Sequence, residues 1–226
     1  MLKFLRVIGL ALILAAPPFI SGCQPETNLS ETSTLPTEKS PAKGAKSPIQ
    51  QSAATRKVTF RQPGGAPQFS LQFKPTGGKL VDESGKAIAN LILQSDGAIR
   101  LTDTNNQTVG YIVRGNTWQI ESPKRTKTLF TFVQDGSGNA TLLRGDGSVV
   151  YQLNAKGNGY VVEADKTDRY TVNASKGTGQ LQTTAGETLL ISDSAIAPIA
   201  LASFGFTKLT QAQQAGLAYA LSAETP

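Results

Sequence analysis

From residue 58 to about residue 193 the chain is a succession of short apolar or alternating runs, broken near every tenth residue by Gly, Asn and Asp. Fourteen runs read as β-strands: 58–61, 69–74, 79–82, 87–94, 98–103, 108–114, 117–122, 128–134, 140–144, 149–154, 159–164, 169–173, 179–183 and 188–193. The breaks have a physical reason. Asp82-Glu83-Ser84-Gly85, Ser95-Asp96-Gly97, Asn105-Asn106, Asp135-Gly136, Gly145-Asp146-Gly147 and Asn158-Gly159 supply residues that tolerate positive φ or bond their own backbone. Such spacing predicts consecutive antiparallel hairpins. Within the runs the period is close to two, as in Trp118-Gln119-Ile120, so one face of the sheet is expected to be buried. About a dozen short strands in an open sheet would leave exposed edges. The pattern therefore favours a mainly β fold, a closed or nearly closed antiparallel barrel, with a β-sandwich carrying C-terminal helices as the alternative. Related phrases recur at 79–112 and 140–151, but no fixed period emerges, and they read as shared hairpin grammar.

At residue 194 the pattern changes. Residues 194–206 are rich in Ala and apolar nearly all round, which predicts a buried helix beginning near Ala197 with Pro198 in its first turn. Thr210 is placed to cap a second helix running to about Ser222, with Leu217, Ala218 and Leu221 apolar along it. A membrane hairpin is excluded by length, since a spanning helix takes roughly 20 apolar residues.

The amino-terminal quarter has another grammar. Lys3 and Arg6 precede an apolar run from Val7 to Ala16 and then Pro17-Pro18, the order of a removable secretory signal. Ile20-Ser21-Gly22-Cys23 resembles the bacterial lipobox, although Ile replaces the more usual Leu at its first position. That resemblance implies recognition through Ile20, Ser21 and Gly22, cleavage before Cys23, and covalent diacylglyceryl and N-acyl lipid on Cys23. Two or three acyl chains at about 0.8 kcal/mol per buried CH₂ anchor stably where one chain is marginal. Gln24 stands where Asp would, by the same resemblance, favour inner-membrane retention, so an outer-membrane position is open in a diderm host. From Cys23 to Thr55 the chain is mostly Ser, Thr, Pro, Ala, Lys and Gln, too polar to offset backbone ordering. Some 32 flexible residues span on the order of 30 Å. The expected organisation is a signal peptide over 1–22, a lipidated Cys and tether over 23–55, and a β-rich domain over 56–226.

Composition removes more function classes than it suggests. The 226 residues contain no His, which excludes a Ser-His-Asp triad, a Cys-His dyad, a His general base and metal sites that need imidazole. Cys23 is the only Cys, so no intrachain disulfide forms. The net charge of +6 falls to +4 once Lys3 and Arg6 are removed, and it is spread along the chain, against a nucleic-acid partner.

Candidate chemistry is sparse. The adjacent pairs Lys39-Ser40 and Ser175-Lys176 could be imagined in Ser-Lys catalysis, but they fall in the tether and a turn. Glu163, Asp165 and Asp168 could form a carboxylate pair for glycoside hydrolysis, but with Lys166 and Arg169 beside them they read as solvated ion pairs. The acidic turns near Asp96, Asp103 and Asp135 carry oxygen ligands without a complete EF-hand loop. The densest basic cluster, Lys124, Arg125 and Lys127 after Pro123, is a candidate contact for anionic headgroups or a solubilising hairpin tip.

In pattern, Val58 to Leu221 resembles the tubby-like barrel of tubby C-terminal domains, LURP-one-related proteins and phospholipid scramblases. The phrases at 80–86 and 109–114 are similar to its hairpins. The resemblance implies a twelve-strand barrel around a central apolar helix. Together these readings predict a non-enzymatic, lipid-anchored protein of the cell envelope, facing the periplasm or exterior and without a cofactor beyond its lipid. Its β-rich domain would be presented to an envelope protein, a wall polymer or a lipid headgroup. The competing expectation is an envelope hydrolase using carboxylates or Ser-Lys.

Overall fold

A computed structural model describes residues 55–165 and 167–223. The leader, the motif at 20–23 with Cys23, the tether including Lys39-Ser40, Lys166, and the Asp168 side chain lie outside the described residues.

Fourteen strands follow in chain order: β1 (Arg56–Arg61), β2 (Pro67–Lys74), β3 (Gly77–Asp82), β4 (Ala87–Leu93), β5 (Ile99–Thr102), β6 (Thr108–Arg114), β7 (Trp118–Glu121), β8 (Thr128–Gln134), β9 (Ala140–Arg144), β10 (Val149–Lys156), β11 (Gly159–Ala164), β12 (Thr167–Ser175), β13 (Thr178–Thr183) and β14 (Thr188–Ser192). Each expected run is a strand, with its ends within two residues of those read from the pattern. Neighbours in sequence are neighbours in the sheet, and β14 pairs antiparallel with β1 through Phe60 opposite Ser192 and Arg61 opposite Ile191. The sheet is thus a closed barrel and not a sandwich, and it holds fourteen strands where about a dozen were expected. Closure leaves no free edge.

The recurring phrases have a structural basis that the sequence reading missed. Inward residues of the odd strands, Phe60, Leu80, Leu101, Ile120, Leu142, Val162 and Leu181, and of the even strands, Leu71 through Leu190, recur every 18–22 residues and are all buried. The barrel is seven copies of one hairpin of about that length. Six turns share one hydrogen-bonding plan, beginning at Asp82, Gln94, Asp103, Asp135, Arg144 and Thr183. In each, the first residue's amide donates to the carbonyl four residues on, and its carbonyl accepts from the amide three residues on. That third residue has positive φ in all six, which explains Gly85, Gly97, Asn106, Gly138, Gly147 and Gly186. The turn from Ser122 follows the plan but closes one residue later, and places Arg125 at φ 55°.

The lumen is filled by the carboxyl terminus. The apolar run at 194–206 does not form one helix: it gives α1 (Pro198–Ala202), then a 3-10 turn over Ser203–Gly205. A 3-10 turn closes on shorter hydrogen bonds, and it lets the chain double back. Pro198 occupies the first turn of α1, as expected. Helix α2 (Gln211–Ser222) is buried at Gln213 and from Ala215 to Leu221. Thr210 accepts from the Gln213 amide while Gln213 Oε1 accepts from the Thr210 amide at 2.9 Å, a complete capping box. α1 packs on β11, β12 and β13, and α2 on β4, β5 and β6. At Gly216 a Cβ would lie 2.6 Å from a Leu101 methyl and 2.9 Å from Ile112, so α2 meets the wall there with no room for a side chain. Ser203 ties the two helices, donating to the Ala200 carbonyl and reaching the Gln214 carbonyl at 3.0 Å.

Outward positions between buried neighbours are mixed: Asn90, Gln119, Gln152 and Gln180 are polar, while Tyr111 and Ile191 are not. Among the described residues no helix is long and apolar enough to cross a membrane.

Candidate functional site

An up-and-down barrel has two rims, and chain order assigns every turn to one of them. We call the rim where β1 begins, and where even strands end, the entry rim; the other is the far rim. α1 runs from the entry rim inward, the chain reverses near the far rim, and α2 returns. The Tyr219 hydroxyl accordingly donates to the Lys74 carbonyl at the entry rim, at 3.1 Å.

At the far rim the reversal leaves a cleft of about 670 Å³ between the helical turn and the wall. Aromatic rings line it. Phe204 packs on Phe69 with centroids 5.2 Å apart and on Phe60 at 4.7 Å. Tyr151 stacks on Phe206 at 4.8 Å and shares a 3.1 Å hydrogen bond with Thr207. Tyr170, nearly fully buried, donates to the Ala202 carbonyl at 2.9 Å, and burial raises its pKa well above the usual tyrosine range, so it stays a neutral donor. Gly205 is required beneath it, because a Cβ there would lie 2.3 Å from the Tyr170 ring. Amides also line the cleft, Gln62, Gln68, Gln211 and Gln214, together with Lys208 and Arg169. The sequence reading had not singled out these residues. Their only signal was the aromatic content of the helical reversal, since the glutamines come in two pairs far apart in sequence, Gln62 and Gln68 around the β1–β2 turn and Gln211 and Gln214 on α2.

The sequence candidates are placed as follows. Arg169 lies 3.7 Å from Asp165, both well exposed, which is a solvated ion pair. Glu163 accepts instead from Asn154 at 2.8 Å, so Glu163 and Asp165 are engaged separately. Ser175 and Lys176 end β12 and begin an exposed turn. The acidic turns use their carboxylates to close themselves. Asp82 accepts from the amides of Ser84 and Lys86, Asp103 from Asn105 and Gln107, and Asp135 from Ser137 and Asn139. The Ser84 side chain and these amides hold Asp82 below the usual carboxylate range, and the Asn139 side chain and amides do the same for Asp135. Among the described residues no three carboxylates gather to hold a metal.

The basic cluster is split. Lys124 and Lys127 are exposed, but Arg125 donates to Asp96 at 2.7 Å and to Glu121 at 3.1 Å, with its guanidinium 5.1 Å from the Tyr111 ring. Strands β5 and β7 have only four residues, so the wall is low there and Arg125 reaches across the outside of β6 to a turn of the opposite rim.

Charge is distributed unequally between the rims. Among the described residues the far half carries eight Lys and Arg and eight Asp and Glu. The entry half carries Arg56, Lys57, Lys74 and Lys79 on β1 to β3, and Arg100, Arg114, Lys156 and Lys176 further round, against Asp96, Asp135 and Asp193. No protein-family model matches the chain, and no curated protein matches it.

Proposed function

We propose that this protein is a lipid-anchored binding module of the cell envelope, held by acyl chains on Cys23, whose far-rim cleft takes a hydroxyl-rich wall polymer. The observation that carries the reading is the cleft lining, which combines the half-buried rings of Phe69 and Phe204 with four glutamines. Ring faces stack on the apolar faces of sugars, and primary amides donate to and accept from hydroxyl and acetamido groups. A binding role is favoured over hydrolysis because the charged pair at the cleft border, Asp165 and Arg169, is solvent-exposed and lacks the burial that tunes catalytic carboxylates.

The test uses a fragment of residues 46–226, which contains the whole core from Val58 to Leu221. It is expected to co-sediment with purified insoluble wall material, and Gln62→Ala with Gln211→Ala is expected to weaken binding by about tenfold. Failure to co-sediment, or equal binding by the double variant, would reject the cleft as the wall site. The anchor is tested separately: Cys23→Ser in the full chain should move the protein from the detergent phase to the aqueous phase on phase partitioning.

A further inference from the structure

We infer that the entry rim is a docking surface for an anionic phospholipid bilayer. Among the described residues the entire positive excess, five charges, lies on this rim, while the far rim is neutral. Arg125 takes up Asp96, one of three acidic residues on the entry half among the described residues. A six-residue strand spans about 20 Å, roughly 15 Å along the axis of a tilted barrel. That exceeds the Debye length of about 8 Å at physiological ionic strength, so a surface approaching one rim is largely screened from the other. A bilayer at the entry rim therefore meets a net positive ring.

The ring is accessible. Arg56, Lys57, Lys156 and Lys176 are all exposed, and they lie on β1 and around the β10–β11 and β12–β13 turns. Arg56 also rests 4.2 Å from the centre of the Phe73 ring, which fixes its stem against the rim while its head stays charged. The chain outside the barrel supplies the second argument. It joins at Arg56, on this same rim, and 32 residues separate Cys23 from that point. An acyl anchor draws the joined rim toward lipid, and the basic ring then favours that approach over any other. The occupant is the headgroup layer itself, recognised through its negative charge. In that orientation the far-rim cleft faces away from the bilayer.

The inference takes from the anchored reading only the side from which the membrane comes, and it is independent of what the cleft binds. The test therefore uses the unlipidated fragment 46–226 in flotation with vesicles of phosphatidylcholine alone or with phosphatidylglycerol. Flotation is expected with the anionic vesicles only, and is expected to disappear at high salt. Two variants carry the same change in net charge. Lys57→Glu, Lys156→Glu and Lys176→Glu on the entry rim should lower the partition coefficient by about tenfold or more. Lys86→Glu, Lys124→Glu and Lys127→Glu on the far rim should lower it by less than about threefold. Unchanged circular dichroism and melting would show both variants folded, and the salt titration of the unmodified fragment stands if one is not. Equal losses in the two variants would mean that net charge and not the rim is recognised, and would overturn the inference. So would absent flotation, or flotation onto neutral vesicles.

Discussion

The two rims of this barrel are made from the same repeated hairpin and each holds a cleft, about 670 Å³ at the far rim and about 530 Å³ at the entry rim, yet one is electrically neutral and the other is basic and receives the chain. The hairpin scaffold does not determine the difference. Inward residues are apolar all the way round, and the turn plan recurs on both rims. What differs is what the tips and flanking strand ends carry, and where the terminal helices reverse. The wall is therefore a neutral carrier of two unlike faces, and function is read from the rims.

The comparison is broken most severely by disturbing what holds the rims apart. Gly216→Leu should force α2 off Leu101 and Ile112, costing about 3 kcal/mol or more in urea denaturation and removing binding at both rims together. Leu217→Ala, at a fully buried position of the same helix, should cost about 2–5 kcal/mol through the cavity it leaves. A milder change sharpens the comparison. Thr210→Ala removes the capping box and should cost about 1 kcal/mol, measured as a lower melting temperature, while vesicle flotation is unchanged.

Acid acts at the closing seam. Asp193 accepts from the Thr59 amide at 2.8 Å beside the β1–β14 junction. Partial burial opposes its ionisation, but the bonds from Thr59 and Ser194 outweigh that and hold its pKa below the ordinary value. A lowered carboxylate contributes stability that is fully present above its unfolded value, near 4, and is lost as pH falls through the folded one. Asp193→Asn should therefore lower stability at neutral pH and flatten its decline below about pH 4. The smallest effect is expected at the low point of the wall. Arg125→Gly relieves a left-handed backbone but removes two exposed ion pairs, so stability should change by less than about 0.5 kcal/mol.

The strands were legible because alternation and turn residues are local. Every run from 58–61 to 188–193 is present, and Thr210 and Pro198 occupy the helix starts assigned to them. The sevenfold period was hidden because it is held by burial and hydrogen bonding and not by letters. Asp82-Glu83-Ser84-Gly85, Asp103-Thr104-Asn105-Asn106 and Thr183-Thr184-Ala185-Gly186 make one turn with hardly a residue in common. The break of the apolar run at Ser203 was hidden because apolar residues fit a helix, a 3-10 turn or a buried reversal alike. The cleft was illegible for a longer-range reason: Gln62, Gln211 and Tyr170 meet only when the barrel closes and the terminus folds back into it. The rim charge needed only the strand order, for each Lys and Arg was already in view.

The orientation of the barrel on lipid is the most direct test of the two-rim account. Residues 46–226 contain no Cys, so Asn158→Cys on the entry rim and Ala185→Cys on the far rim each give one labelling position. A fluorophore at each is compared on anionic vesicles that carry a quencher in the headgroup layer. Quenching at residue 158 with little at residue 185 is the predicted result; equal quenching, or stronger quenching at residue 185, would contradict it.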